Sequence, residues 1–217
     1  MKAKIFLLSE KLFEGASNLP CIKIEFLKKS VDLSSYEALI FSSKNGVLAI
    51  ENIDKTWKTL PSYAIGSATA SQINELGGVV AYSAKNSYGN SFADEIKKML
   101  EGKKALFIRP EIVASNLNTI LKDTGVLLDE LIAYKTVCGV CKKDEKPSSE
   151  SVIIFTSPST IECFFKYFDW DESWRAVVIG KVTASYMPKG VKYILSVEQN
   201  IPACIKLANE LLFGKKI

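Results

Sequence analysis

Leu39-Ile40-Phe41-Ser42-Ser43-Lys44-Asn45 and Ile153-Ile154-Phe155-Thr156-Ser157-Pro158-Ser159 share one pattern: three large apolar residues, then a run of small polar ones. An apolar triplet closed by Ser, Thr, Asn or Pro reads as a strand buried on both faces that turns into a helix. Twenty-five residues after each Phe stands a glycine. Gly66 opens Gly66-Ser67-Ala68-Thr69-Ala70, and Gly180 opens Gly180-Lys181-Val182-Thr183-Ala184. All matched positions lie 114 apart. Each copy continues to a second glycine and strand (Gly78-Val79, Gly190-Val191). A helix ending in Met99-Leu100 or Leu211-Leu212 follows. Two motifs at one fixed offset mark a structural unit used twice.

The rest of the chain alternates between short β-type runs and helical stripes. Candidate strands are 4–8, 22–27, 38–41, 63–65, 79–82, 105–108, 127–132, 152–155, 176–179 and 192–195. Phe92, Ile96, Met99 and Leu100 fall at helical spacing, as do Ile161, Phe164, Phe165 and Phe168, and Cys204, Ala208, Leu211 and Leu212. Such stripes are core faces. The alternation predicts an α/β fold of two similar open parallel-sheet domains. The first copy is followed by a further strand–helix–strand unit; the second ends the chain. The N-terminal segment has the shape of that missing unit. The expected organisation is one discontinuous domain, residues 1–27 plus 141–217, with a second domain, 31–133, inserted. Residues 28–30 and 134–140 form linker strands. Ligands of parallel sheets bind at the strands' carboxyl ends, so a cleft between the lobes is expected.

Composition narrows the chemistry. The chain has 217 residues, 47% of them apolar, enough for a buried core. Its net charge of +4 is too small to suggest nucleic acid but suits a small polyanion. There is no histidine, which excludes Ser-His-Asp and Cys-His catalysis and removes the commonest metal ligand. No apolar run approaches a membrane span, and the N-terminal apolar run is too short for a signal peptide. Five scattered cysteines read as reduced thiols of a cytoplasmic protein. Cys138-Gly139-Val140-Cys141 is a C-x-x-C without a second pair, a weak redox or metal signal.

Two readings are open for the polar turns. Ser43, Asn45, Thr156, Ser157 and Ser159, with Pro158, make good helix starts by themselves. The same N–H groups and hydroxyls bind anions at a strand's carboxyl end. The turns at Ser67, Ala68 and Thr69 and at Val182, Thr183 and Ala184 divide in the same way. They match neither a dinucleotide fingerprint nor a phosphate-binding loop. Arg109, after strand 105–108, is a carboxylate clamp or an ordinary surface arginine. Asn90 precedes a helix. Tyr134, at the second crossing, offers a phenolic donor on an apolar body.

Together these segments resemble the uroporphyrinogen-III synthase family. The resemblance rests on Phe-Ser-Ser-x-Asn-Gly-Val from Phe41, Ile-Gly-Ser-Ala-Thr-Ala-Ser from Ile65, and Gly-Asn-Ser-Phe-Ala-Asp-Glu-Ile from Gly89. Ile-Ala-Tyr-Lys-Thr-Val from Ile132, Phe-Thr-Ser-Pro-Ser from Phe155 and Ile-Gly-x-x-Thr-Ala from Ile179 complete it, in the family's order. It departs at Ser9-Glu10, Lys44 and Val182, where the family often has other residues.

The resemblance implies a bilobal fold with an inserted middle domain and a two-stranded linker. It implies one substrate, the linear tetrapyrrole hydroxymethylbilane, cyclised with loss of water and inversion of ring D. No cofactor and no metal are implied, and neither nucleic acid nor membrane. The expected form is a monomer, with a transient contact to hydroxymethylbilane synthase. Tyr134 is then the expected acid. Ser43, Asn45, Ser67, Ala68, Thr69, Asn90, Arg109, Thr156, Ser157, Ser159, Val182, Thr183 and Ala184 are the expected substrate contacts. A bilobal binding protein without catalysis and a C-x-x-C redox protein are the competing classes.

Overall fold

A computed structural model describes residues 3–9, 12–27, 29–84, 89–113, 115–141 and 145–214. Glu10, Lys28 of the expected linker, and Ser87 and Tyr88 before the third helix lie outside these. In chain order the elements are β1 (Ile5–Leu7), β2 (Ser17–Asn18), β3 (Ile22–Phe26), β4 (Ala38–Phe41), α1 (Lys44–Ile53), a 3-10 turn (Lys55–Thr59), β5 (Pro61–Ile65), α2 (Ser67–Glu75), β6 (Val79–Ala84) and α3 (Gly89–Ile96). Then come β7 (Lys104–Pro110), α4 (Leu117–Asp123), β8 (Leu127–Cys138), β9 (Val152–Phe155), α5 (Pro158–Tyr167), β10 (Arg175–Val178), α6 (Lys181–Ala184), β11 (Tyr193–Leu195) and α7 (Ile201–Phe213). Among the described residues no helix is long and apolar enough to cross a membrane.

The repeat extends well beyond its two motifs. β4 and β9, α1 and α5, β5 and β10, α2 and α6, and β6 and β11 all begin 114 residues apart. The chain divides into two compact units, Met1–Lys23 with Thr136–Ile217, and Ile24–Lys135. The first holds the sheet β11-β10-β9-β1-β2; the other sheet, β3-β8-β7-β4-β5-β6, lies in the second except for Ile22–Lys23 of β3 and Thr136–Cys138 of β8, which belong to the first. All ladders within these orders are parallel except that of β3 with β8. There, Leu27 N–H donates to Ala133 O (2.9 Å) and Gly139 N–H to Cys21 O (2.8 Å), an antiparallel pattern. In each sheet the chain runs outward from a central strand, β4 or β9, and the strand on its other side, β7 or β1, belongs to a separate excursion. The carboxyl ends of these strands are switch points, where open sheets bind ligands.

Burial explains the order. β4 and β9 are buried along their whole length because helices cover both faces. In the unit of the first repeat, α3 and α4 pack on one face through Phe92, Ile96, Leu117 and Leu121. On the other face α1, α2 and the 3-10 turn contribute Val47, Ile50, Ile73 and Trp57. In the unit of the second repeat, Ile161 and Phe164 of α5, with Phe168 just after it, cover one face and Cys204 and Ala208 of α7 the other.

Three expectations need correction. β3, expected whole in the discontinuous domain, lies in the six-stranded sheet; its alternating Ile22-Lys23-Ile24-Glu25-Phe26 suits a half-covered edge beside β8. The expected linker strand 134–140 is a strand through residue 138, the second half of β8, and the division between the units falls within it, at Lys135/Thr136. Met99 is 42% exposed, because α3 stops at Ile96 before the stripe reaches it. The cysteines are not all thiols: Cys138 is bonded to Cys163, with a Cα–Cα distance of 5.2 Å, because the end of β8 lies beside α5.

Gly78 marks the tightest apolar approach. A Cβ there would lie 2.4 Å from the Trp57 ring, which is fully buried, meets Phe41 edge-on at 5.9 Å and donates Nε1–H to Glu51 (2.8 Å). Gly78→Ala is expected to destabilise this unit by about 1–3 kcal/mol, as overpacking of a well-filled core does. The urea midpoint measures it; an unchanged midpoint contradicts the packing described.

Candidate active site

The four polar turns at the strands' carboxyl ends fall into two kinds. The starts of α1 and α5 cap themselves. Ser43 Oγ accepts from Asn45 N–H at 3.2 Å. Ser157 Oγ accepts from Thr160 N–H (3.3 Å), while Thr160 Oγ1 accepts from the N–H groups of Ser157 (3.1 Å) and Thr156 (3.2 Å). With Pro158 at the first helical position, the α5 turn directs these donors inward. Capping therefore engages Ser43, Asn45, Thr156 and Ser157, and Ser159 lies half-buried in the same first turn.

The starts of α2 and α6 differ. Gly66 and Gly180 stand at their N-cap positions, and neither start has a side-chain cap. Gly66 has φ 77°, a left-handed conformation that favours glycine. The first hydrogen bonds inside these helices are Thr69 and Ala70 N–H to Gly66 O (both 3.2 Å) and Ala184 N–H to Gly180 O (2.9 Å). The N–H groups of Ser67, Ala68, Lys181 and Val182 lie ahead of these bonds. All four residues are exposed. Thr69 and Thr183 are buried, at 3% and 5% exposure, and so is Ala184. The surface of both turns is thus made by Ser67 and Ala68 and by Lys181 and Val182, ahead of each threonine. A carboxylate there would meet helix-start N–H groups.

Tyr134 lies within β8, next to the division between the units at Lys135/Thr136, and is 3% exposed among Phe41, Val47, Ala64 and Ile108. Burial pushes its phenol up to about 12, against the pull of the Ser43 and Ser42 hydroxyls beside it. The phenol therefore stays protonated at neutral pH, and its neighbours are the first residues of the β4 turn.

Arg109 does not present a free guanidinium. Its Nε–H donates to Glu130 Oε2 (2.6 Å), and Nη1 donates to the carbonyls of Pro110 (2.8 Å) and Glu111 (3.1 Å). Glu130 also accepts from Lys122 Nζ (2.8 Å) and Asn118 Nδ2 (3.2 Å). Glu130 thus pairs with both Arg109 and Lys122. Asn90 is likewise engaged, its Oδ1 accepting from the N–H of Asn116, the residue that opens α4 (3.0 Å).

The structure adds one neighbour that sequence reasoning missed. A Cβ on Gly180 would lie 2.8 Å from Gln199 Nε2, so Gln199 lies across the start of α6. No motif joins residues so far apart along the chain. Among the described residues no cluster of His, Cys, Asp or Glu could hold a metal ion. A shallow pocket lined by Lys4, Ile5, Ser17 and Phe213 lies at the amino end of β1 and includes none of the expected site residues.

Burial raises the Glu130 carboxyl, but hydrogen bonds from Lys122, Asn118 and Arg109 together outweigh it and hold it below the ordinary glutamate range. A depressed carboxyl contributes stability above its unfolded value and loses it as pH falls through its folded value. Glu130→Gln is therefore expected to lower the melting temperature at neutral pH and to remove part of the acid loss seen in the unaltered chain. Parallel acid limbs in the two proteins would contradict the network.

A family model for uroporphyrinogen-III synthase HemD matches residues 7–206. The crystal structure of uroporphyrinogen-III synthetase from Helicobacter pylori is similar at 26% identity and TM-score 0.82, over 97% of this chain and 100% of that one. A uroporphyrinogen III synthase structure from Thermus thermophilus shares the fold at 13% identity and TM-score 0.58, over 99% and 100%. A search of curated proteins gives no match. With a family match spanning both repeats and a solved structure alike over nearly its whole length, the chain belongs to the uroporphyrinogen-III synthase family.

Proposed function

We propose that the protein is a lyase acting without a cofactor, closing hydroxymethylbilane to uroporphyrinogen III in tetrapyrrole synthesis. The observation that carries this reading beyond family membership is the glycine N-cap followed by two exposed residues at the same repeat position in each unit. A substrate with eight carboxylates on flexible arms needs many donors and no redox or Lewis-acid centre. Backbone N–H groups at Ser67, Ala68, Lys181 and Val182 supply such donors. Each charge-assisted hydrogen bond contributes about 1.5–3 kcal/mol, so a few of them hold the arms firmly.

The chemistry follows from positioning. Departure of the ring A hydroxyl as water leaves an azafulvenium-type cation. Attack by the substituted carbon of ring D forms a spiro intermediate, and fragmentation with recombination inverts that ring. Spontaneous closure instead uses the unsubstituted carbon and gives the type I isomer. The protein's task is to hold ring D for the first course and exclude the second. Tyr134 is the proposed acid for hydroxyl departure. Because its ring is buried, its proton reaches the substrate by way of the Ser43 or Ser42 hydroxyl beside it.

Hydroxymethylbilane supplied to the purified chain is expected to yield predominantly the type III isomer. Type I product alone, at the spontaneous rate, would sink the proposal. Tyr134→Phe is expected to lower kcat by ~10²-fold or more if the phenol acts as a general acid; an undiminished kcat would remove that role. Since the phenol is pushed up to about 12, the unaltered enzyme should show no loss of rate near pH ~10, where an ordinary tyrosine ionises.

A further inference from the structure

The unit of the second repeat gathers four of the chain's five cysteines into one apolar cluster: Cys21, Cys138, Cys141 and Cys163, packed with Phe155, Phe164 and Trp174. Cys138 and Cys163 are bonded, whereas Cys21 and Cys141 remain thiols. The C-x-x-C spacing suggests Cys138 as the partner of Cys141, but the fold gives Cys138 to α5. The neighbour left for Cys141 is Cys21, whose thiol hydrogen-bonds to it.

The backbone holds this pair together. Gly139 N–H donates to Cys21 O at 2.8 Å. A Cβ at Gly139 would stand 2.7 Å from the Pro20 carbonyl oxygen and 3.5 Å from the Cys21 carbonyl carbon. Backbone atoms cannot move aside as a flexible side chain can, so glycine is what allows segments 20–21 and 139–141 to approach so closely.

We propose that Cys21 and Cys141 are a site of oxidative modification, forming a second disulfide by exchange with a small-molecule disulfide. Cys141, 8% exposed, is the entry thiol, and Cys21, fully buried, is the resolving one. The Cys141 thiolate attacks one sulfur of the small disulfide, forming a mixed disulfide and releasing one small thiol. Cys21, after losing its proton, attacks the Cys141 sulfur, and the second small thiol leaves. The protein gives up two electrons and two protons, and the small disulfide is reduced to two thiols. Burial raises both protein thiols; the hydrogen bond from Cys21 pulls Cys141 partly back. Thiolate is therefore scarce at neutral pH, and the reaction should quicken as pH rises. The new bond would tie the chain leaving this unit, at Cys21, to the chain returning, at Cys141. The existing bond already ties the returning segment to α5, whose start carries Thr156 and Ser157. This inference does not depend on the proposed reaction.

The full chain is incubated with oxidised glutathione across a pH series. Thiols are counted in denaturant and cross-linked peptides are mapped without reduction. Three free cysteines are present at the start. The expected result is loss of two, a peptide joining Cys21 to Cys141, and a rate that climbs with pH. The Cys21→Ser variant should instead retain glutathione on Cys141, and Cys204→Ser should behave as the unaltered chain does. A Cys138–Cys141 bond, a persistent glutathione adduct on the unaltered chain, or no thiol loss at any pH would overturn the proposal; the unaltered chain decides these outcomes even if a variant fails to fold.

Discussion

The N–H groups of a helix's first turn have no acceptor inside the helix, and the fold depends on how each strand-to-helix turn deals with them. At Ser43 and Ser157 the answer is a side chain that turns back on its own helix. At Gly66 and Gly180 there is no side chain to turn back, and donors remain at exposed positions. The same sequence position makes the same choice in both units, 114 residues apart. What looks in the sequence like four equivalent Ser/Thr-rich turns is two that cap themselves and two whose N-cap glycines carry no capping side chain. The threonines that drew attention there are buried, so they shape the turns while the exposed residues before them make the surface.

Much of this was legible in the letters. The bounds of β4 and β9 match the expected strands residue for residue, because an apolar run buried on both faces ends sharply at its polar turn. Parallel α/β architecture followed from the same runs. β2 was invisible, since two half-buried residues carry no periodicity. β8 reads as two pieces, a strand to Ile132 and a linker strand from Tyr134, yet it is continuous to Cys138, with β3 as an antiparallel partner that local pattern does not reveal.

The side-chain contacts were harder to read, for a common reason. Arg109 finds Glu130 on the neighbouring strand, Asn90 finds Asn116, and Cys138 finds Cys163 rather than the nearer Cys141. Each is a polar or reactive group whose partner is far along the chain and close only once strands are in register. Arg109 and Asn90 are engaged within the protein, whereas Ser67, Ala68, Lys181 and Val182 stand exposed at the starts of α2 and α6.

Proline at the first helical position removes one N–H while fitting the helix start, so it deletes the donor without deleting the turn. Calorimetric titration of uroporphyrinogen III against the unaltered chain, Ser67→Pro, Lys181→Pro and the double variant therefore tests the central claim directly. Each single substitution is predicted to weaken binding by roughly tenfold or more, as loss of a charge-assisted hydrogen bond does, and the double variant to weaken it further. Unchanged affinity in both single variants, with folding intact, would contradict the claim that helix-start N–H groups at these two turns hold the substrate's carboxylates.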